Sequence, residues 1–304
     1  MKSAASAGFS PSAPPPVRPL TPMAPDYPWQ LVLRPRARWF DLHLADLWRY
    51  RDLVGMFVRR DFVSQFKQTI LGPVWFVIQP LLTTLIFVVV FGNIASLSTD
   101  GLPKMLFYLS GSVIWMYFSN VLTATANTFI GNANLFGKVY FPRLAVPLSL
   151  AISHVLKFAL QFLFFLCFWA WYAWRGADIE FTRAVWLFPL LVLLMVGQAL
   201  GLGILFSSLT TKYRDLRFLL EFGVRLMMYA APVVYPLAAI PGKWRWFLLI
   251  NPVTPIVEIF RLGFLGQGTF SWLQLGYSAG FAVAALVLGV AIFNRVEKTF
   301  MDTV

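Results

Sequence analysis

Polar and charged side chains recur inside two of the most apolar stretches of this sequence. In the first stretch they repeat every four residues and form one stripe on a helix, which comprises Ser149, Ser153, Lys157 and Gln161. In the second, Glu221 and Arg225 have a spacing that favours an ion pair. Because a charge is costly to place inside a membrane-spanning segment, such residues are functional candidates. They could line a path for a polar substrate or form a gating ion pair; hydrogen bonding between helices is the alternative.

A basic segment leads into a long apolar run early in the chain. It begins with Arg59 and Arg60, and no charged residue lies between Lys67 and Asp100. This order is typical of a chain that follows a membrane surface and then enters the bilayer.

The same segment contains two predicted bends. Gly72, followed by a proline, marks the corner at which the chain turns into the membrane. Pro80 is expected to kink the first span, because proline removes a backbone donor and clashes with the preceding turn. A bent first span after a surface helix indicates a segment that changes conformation during function.

Aromatic residues make up 17% of the chain and include 12 Trp and 10 Tyr. Many are expected at the membrane interfaces. A subset lies deeper or less regularly, namely Trp75, Phe76, Tyr108, Trp115, Tyr117, Phe118 and Tyr229. Because the apolar faces of sugar rings stack on aromatic rings, a smooth aromatic channel could pass glycans of many sequences. Packing against lipid is the alternative for each ring.

The composition is that of a membrane protein with several spans. Of 304 residues, 59% are hydrophobic and only 12% are charged, whereas soluble domains carry about 25% charged residues. The net charge of +12 does not indicate nucleic-acid binding, because ten of the 25 basic residues lie in the first 67 positions, beside the first span. The single cysteine, Cys167, excludes an intrachain disulfide and a cysteine-based zinc site.

The sequence lacks the motifs of an ATPase or a metalloenzyme. A phosphate-binding loop requires Ser or Thr after Gly-Lys, but the Gly-Lys pairs at 137–138 and 242–243 precede Val139 and Trp244. The two histidines, at positions 43 and 154, are too far apart for a zinc-binding helix. We therefore expect a chain that binds no cofactor and is not itself an enzyme.

Two segments precede the predicted membrane domain. Residues 1–38 contain nine of the 20 prolines and no apolar core, which predicts a disordered, Pro-rich cytosolic tail. Residues 40–66 predict an amphipathic interfacial helix, because apolar residues such as Phe57 and Phe62 recur at three- and four-residue steps among arginines. An amphipathic helix packed on a partner protein is the alternative.

Six membrane-spanning helices are predicted within residues 70–294, followed by a cytosolic tail at 295–304. The spans cover residues 70–92, 104–129, 144–174, 184–208, 216–238 and 272–294. An even number of spans places both termini on one side of the membrane. With the termini inside, the inner segments carry 17 basic residues and the outer ones carry six. This bias predicts a multi-pass membrane protein with both termini in the cytosol.

The long loop before the last span, residues 240–271, is expected to face outward. Its apolar stretches, 246–250 and 255–264, are too short to cross a bilayer, and Asn251-Pro252 separates them. A pair of re-entrant or surface helices fits this pattern. A passive amphipathic hairpin is the alternative.

Short motifs follow one another in an order that resembles a known family. They are Arg60-Asp61, Lys67-Gln68-Thr69, Leu71-Gly72, Trp75, Gln79-Pro80, Tyr213-Arg214-Asp215-Leu216, Ala231-Pro232-Val233, Tyr235-Pro236 and Asn251-Pro252. Over residues 45–304 the chain resembles the membrane subunits of bacterial polysaccharide exporters of the O-antigen and teichoic-acid type, within the ABC type-2 permeases. The resemblance implies an all-α polytopic permease that works as a homodimer with two copies of a separate cytosolic ATPase. That partner would bind ATP and magnesium, and the cargo would be a lipid-linked polysaccharide moved outward.

The resemblance also suggests sites for coupling and for substrate access. The loop after the second span is expected to dock the ATPase, because exposed aromatic rings beside a positive charge are typical of protein interfaces. Its residues are Phe136, Gly137, Lys138, Val139, Tyr140, Phe141 and Arg143. Anchoring of the loop in the lipid head groups by Phe136, Tyr140 and Phe141 is the alternative. The kinked first span would form a lateral entry for the glycolipid, and the lipid phosphate would contact Arg59, Arg60 or Lys67. A type-2 ABC permease for drugs or lipids is one alternative function. A membrane-embedded glycan-modifying enzyme is another, but it would need clustered acid–base residues that the sequence does not show.

Overall fold

The structure, a computed structural model, describes residues 44–136 and 141–303, and all regular elements in this part of the chain are helical. The predicted tail at 1–38 lies outside these residues. In chain order the helices are α1 (Leu44–Arg49), α2 (Arg51–Ser64), α3 (Trp75–Phe87), α4 (Lys104–Ala126), α5 (Thr128–Gly131), α6 (Ala133–Phe136), α7 (Ala145–Trp174), α8 (Phe188–Lys212), α9 (Leu216–Tyr229), α10 (Gly242–Ile250), α11 (Thr254–Leu265) and α12 (Trp272–Thr303). Short 3-10 turns precede α3 and α8, and a π-helix, Val88–Ile94, continues α3.

Five helical segments in the described chain are long and apolar enough to cross a membrane. They are Gly72–Ile94, Lys104–Ala126, Ala145–Trp174, Arg183–Lys212 and Trp272–Val296. The pair α10 and α11 counts as a sixth only if both helices belong to one broken span, because they meet at an angle of 102°. The polytopic all-α fold predicted from the sequence is confirmed, and a sharp bend occurs at Asn251-Pro252 as expected.

The segment predicted as the fifth span, 216–238, is not one continuous helix. Helix α9 ends at Tyr229 after 14 residues, a length of about 21 Å, whereas the hydrocarbon core is about 30 Å thick. Pro232 and Pro236 follow within a few residues and prevent the helix from continuing. The prediction was too long because apolar character extends beyond the helix. The last helix, in contrast, is longer than predicted, since α12 extends past position 294 into the predicted tail.

Helix α4 lies at the centre of the helical bundle and α3 at its edge. In the most apolar window of each span, 78% of the α4 segment is buried but only 17% of the segment Gly72–Ile94. Helices α8 and α12 approach closely through glycines: a Cβ built on Gly201 would lie 2.6 Å from the backbone of Ala285 and Leu286. Small residues allow this close contact between helices within a membrane.

The surface helix packs on the protein's own core. Val54 and Phe57 of α2 are buried in a cluster that contains Phe129, Phe141 and Phe293. The apolar face predicted for residues 40–66 is therefore partly covered by the helices that follow it. A break at Tyr50 divides the predicted single helix into α1 and α2.

Candidate functional site

The polar stripe predicted on α7 faces the interior of the bundle. Its four members, Ser149, Ser153, Lys157 and Gln161, are all buried. Lys157 Nζ lies 3.4 Å from Nε2 of His154 and 5.5 Å from the ring centroid of Phe76. Gln161 Nε2 donates a hydrogen bond of 3.2 Å to the Phe76 carbonyl, which joins α7 to the start of α3. The stripe thus contributes to contacts between helices, as the alternative interpretation expected, and also lines a cavity.

This cavity, which we call the lysine cavity, has a volume of about 200 Å³ and lies between α3, α4 and α7. Lys157, His154 and Gln161 of α7 line it together with Tyr117 and Asn120 of α4. The sequence motifs did not single out His154 or Asn120, because nothing in the local pattern shows that α4 and α7 pack together. Once the two helices are paired, both side chains face the same polar space.

A wider cavity of about 630 Å³ lies beside the lysine cavity. The two share three lining residues, Gln79, Asn120 and His154. Glu221 and Arg225 of α9 also line the wider cavity. The two polar groups that the sequence identified separately, on α7 and on α9, are therefore brought to one continuous polar cleft.

The ion pair predicted between Glu221 and Arg225 is replaced by another pair. Glu221 Oε1 lies 3.2 Å from Nε of Arg217, one helical turn earlier. Among the described residues, no ion pair involves Arg225. Both arginines are four positions from Glu221, so spacing alone could not decide between them.

Four of the predicted channel aromatics lie in the protein core. Tyr108, Trp115 and Phe118 are buried in the main hydrophobic cluster, and Tyr117 is buried but also lines the lysine cavity. Helix α4 buries most of its surface, so its rings face neighbouring helices of the same chain.

The remaining aromatics of that group are placed differently. Phe76 lines the lysine cavity and contacts the rings of Phe62 and Phe66, whereas Trp75 is 48% exposed. Tyr229 is exposed at the end of α9, where its carbonyl accepts a hydrogen bond from the Tyr235 hydroxyl. A channel role stays a prediction for all of these rings.

The basic residues before the first span lie at the surface. Arg59 and Lys67 are exposed, and Arg60 forms an ion pair of 2.8 Å with Asp61 while lying over the ring of Phe57. Contact of these residues with a lipid phosphate stays a prediction.

The corner before the first span has the geometry that the sequence indicated. Gly72 has φ = +52°, a left-handed conformation that glycine adopts at little cost. Pro80 lies inside α3 and is buried, and its effect on the helix axis stays a prediction.

Two residues of the predicted coupling loop are less accessible than expected. Phe136 and Phe141 are buried and contact one another with ring centroids 5.7 Å apart, and the guanidinium of Arg143 lies 5.6 Å from the Phe136 ring. Phe141 also packs against Phe57 of α2. The expectation of exposed phenylalanines is wrong, because Phe141 packs under α2 and Phe136 packs between the rings of Phe129 and Phe141. Positions 137–140, with Gly137, Lys138, Val139 and Tyr140, lie outside the described residues.

A buried arginine that the sequence analysis counted among outer-loop charges anchors α11 to the centre of the bundle. Arg261 donates hydrogen bonds to the carbonyls of Pro232 (2.5 Å) and Val233 (2.8 Å) and to Ser110 Oγ and the Phe107 carbonyl, both at 3.2 Å. Its guanidinium also lies 3.8 Å from the Phe107 ring centroid. An arginine inside the apolar stretch 255–264 was the signal that could have indicated this role.

The described part of the chain contains no group of three His, Cys, Asp or Glu side chains that could hold a metal ion. What the structure assembles is a helical membrane protein with a polar cleft among its spans. These features define a polytopic all-α membrane protein.

The chain belongs to the ABC-2 type transporter family, whose profile matches residues 52–265. This confirms the family resemblance described above for the permease subunit. Family members of this kind are transporter permeases.

Relatives align over most of their own length. The O-antigen export system permease protein RfbA of Klebsiella pneumoniae is 27% identical over 252 residues, covering 83% of this chain and 94% of that protein. The polysialic acid transport protein KpsM of Escherichia coli is 22% identical over 249 residues, covering 80% and 93%. The capsule polysaccharide export inner-membrane protein CtrC of Neisseria meningitidis serogroup A is 22% identical over 261 residues, covering 84% and 95%.

Proposed function

We propose that this chain is the membrane subunit of an ABC exporter that moves a lipid-linked polysaccharide of O-antigen type outward across the cytoplasmic membrane. The supporting observation is that relatives aligned over 80–84% of the chain are named for O-antigen, polysialic acid or capsule polysaccharide. A polar cleft among the membrane helices is compatible with a cargo rich in hydroxyl groups.

Deletion of the gene tests this function. We expect the deletion strain to lose its surface polysaccharide and to accumulate the lipid-linked form inside the cell, and a plasmid copy to restore export. Glycan staining of whole cells and of isolated membranes measures both effects. Normal surface polysaccharide in the deletion strain would contradict the proposal.

The energy for export is proposed to come from a separate ATPase, because the sequence contains no phosphate-binding loop. The loop 136–143 is the proposed docking surface. Because Phe141 is buried, its replacement would disturb the core, and Lys138→Glu with Tyr140→Ala is the cleaner test. This double variant should no longer retain the ATPase during purification, whereas Lys243→Glu on the exposed start of α10 should retain it. If the double variant still assembles with the ATPase and shows substrate-stimulated ATP hydrolysis, the loop 136–143 is not the docking surface, and residues 211–217 become the next candidate.

The proposed topology has both termini and the loops 131–143 and 210–217 in the cytosol. The basis is the excess of basic residues in these segments. In a Cys167→Ser background, a cysteine introduced at position 138 should react with an impermeant maleimide only after the cells are opened. Labelling of intact cells would overturn this orientation.

We propose that two copies of the chain form the transport unit. The isolated chain exposes large apolar side chains on α3 and α9, including Ile86, Phe218 and Phe222, which lipid or a second copy must cover. Native mass spectrometry of the purified complex should show two permease chains with two ATPase chains. A complex with one permease chain would contradict the homodimer.

A further inference from the structure

The lysine cavity contains a buried positive charge that lacks a close negative partner. Lys157 is 6% exposed, and its ammonium contacts the His154 Nε2 at 3.4 Å and lies 5.5 Å from the centroid of the Phe76 ring. Neither carries a negative charge. Because an ammonium group loses much of its hydration when it is buried, such a site favours a bound anion.

The acidic side chain that acts electrostatically on Lys157 is Asp61 of α2. The Oδ1 of Asp61 lies 2.8 Å from Nη2 of Arg60, whereas its Oδ2 is buried and has no hydrogen-bond partner among the described residues. Within the described chain, no ion pair of 4.0 Å or less joins Asp61 to Lys157. The carboxylate therefore does not occupy the position of a counter-ion at the ammonium.

A second observation points independently to a ligand in this cavity. The hydroxyl of Tyr117 is buried, with the residue only 2% exposed, and finds no hydrogen-bond partner among the described residues. An unpaired buried hydroxyl is unfavourable. Tyr117 lines the same cavity as Lys157, together with the amides of Gln79 and Asn120. An ammonium group, a hydroxyl and side-chain amides are donors that bind the oxygens of an anion.

We infer that the lysine cavity binds a phosphate-class anion, with Lys157 providing the charge and Tyr117 a hydrogen bond. This inference rests on the proposed function, because a glycan joined to a lipid through phosphate or diphosphate carries such a group. The volume of about 200 Å³ is smaller than the roughly 300–1,000 Å³ of sites for drug-sized ligands, which suits a head group. The adjoining wider cavity, at about 630 Å³, provides room for the sugar nearest the phosphate. The exposed arginines before the first span would then meet the phosphate first, and Lys157 would hold it inside.

Binding to the purified full-length permease in nanodiscs tests this site directly. The probes are a polyprenyl diphosphate, the matching polyprenol without phosphate, inorganic diphosphate and phosphatidylglycerol, measured by native mass spectrometry and thermophoresis. We expect the polyprenyl diphosphate to bind at least tenfold more tightly than the polyprenol, and inorganic diphosphate to compete. Lys157→Met should weaken diphosphate binding at least tenfold, whereas Lys157→Arg and the exposed control Lys243→Met should retain it. Equal binding of phosphatidylglycerol would assign the site to bilayer lipid and overturn its role for the cargo.

Asp61→Asn separates an anion site from an internal ion pair. If Lys157 binds an external anion, this variant should bind the diphosphate at least as tightly as the wild type, because a competing carboxylate has been removed. If Lys157 only neutralises the charge of Asp61, Asp61→Asn should lower the thermal stability to the same degree as Lys157→Met. Neither substitution should then affect diphosphate binding. That result would overturn the inference. If Lys157→Met fails to fold, weaker diphosphate binding by Asp61→Asn than by the wild type would overturn it instead.

The site and the proposed function fail in different experiments. Diphosphate binding that depends on Lys157, in a protein whose deletion leaves surface polysaccharide intact, would refute the export function and keep the site. Export that needs the chain, with binding indifferent to Lys157 and Tyr117, would refute the site alone.

Discussion

Replacement of Arg261 by methionine removes the side chain that fixes α11 to the bundle centre. The guanidinium joins three parts of the chain: α11 itself, α4 through Phe107 and Ser110, and the turn at Pro232 and Val233. Methionine replaces the unbranched aliphatic part of the arginine but cannot donate a hydrogen bond. The variant therefore tests whether this buried charge holds the short outer helices in place.

The expected loss follows from the groups left behind. The carbonyls of Pro232 and Val233 have no other donor in the described part of the chain, and each buried carbonyl without a partner costs about 1–3 kcal/mol. The Phe107 carbonyl keeps the Ser110 hydroxyl as a donor. Removal of the buried charge offsets part of the loss, because desolvation of an ion itself costs several kcal/mol. We expect a net destabilisation of about 3 kcal/mol.

Thermal unfolding of the detergent-purified protein measures this loss. For a chain of about this size, 1 kcal/mol shifts the melting temperature by about 2–4 °C, so Arg261→Met should lower it by about 6–12 °C. Arg261→Lys keeps the charge but loses the planar fork and should give an intermediate value. Arg245→Met is the matched control on α10, since the described structure shows no side-chain hydrogen bond or ion pair for Arg245. A melting temperature of Arg261→Met equal to that of the control would refute the reasoning.

Three further predictions concern packing, the bend and substrate access. Gly201→Ala should destabilise the protein by about 1–3 kcal/mol, because the new Cβ would lie 2.6 Å from the α12 backbone. Gly276→Ala is the control: its Cβ would have nothing within 4 Å, so the same melting assay should show an unchanged or higher melting temperature. Asn251→Ala should cost about 1–3 kcal/mol by freeing buried backbone groups that Asn251 now bonds at the 102° bend; an unchanged melting temperature would contradict this. The double variant Arg59→Ala and Arg60→Ala should reduce export while membrane insertion stays normal, and wild-type export would remove their phosphate role.

The sequence predicted the features that depend on local periodicity. The four-residue stripe on α7 does face inward, and the interruption at Asn251-Pro252 does bend the chain. Both follow from helix geometry and from the restrictions that proline imposes, which act within a few residues. The same holds for Gly72, whose position at the corner corresponds to a left-handed backbone conformation.

Features that depend on tertiary contacts could not be predicted in this way. The choice of Arg217 over Arg225 as the partner of Glu221 depends on side-chain surroundings, since both lie one turn away. The burial of Phe141 depends on α2, which precedes it by many residues. His154 became a candidate only because α4 and α7 pack together around the lysine cavity. In each case the deciding neighbour is distant in the sequence, and periodicity carries no information about it.

Reconstituted transport is the most direct test of the central claim. The permease and its partner ATPase would be purified together, placed in proteoliposomes with the ATPase outward, and supplied with a lipid-linked polysaccharide in the outer leaflet. ATP and magnesium should transfer the glycan into the lumen, where an added glycosidase cannot digest it, and omission of the permease or the ATPase should abolish this protection. Glycan that stays fully digestible with ATP and both subunits present would contradict the account.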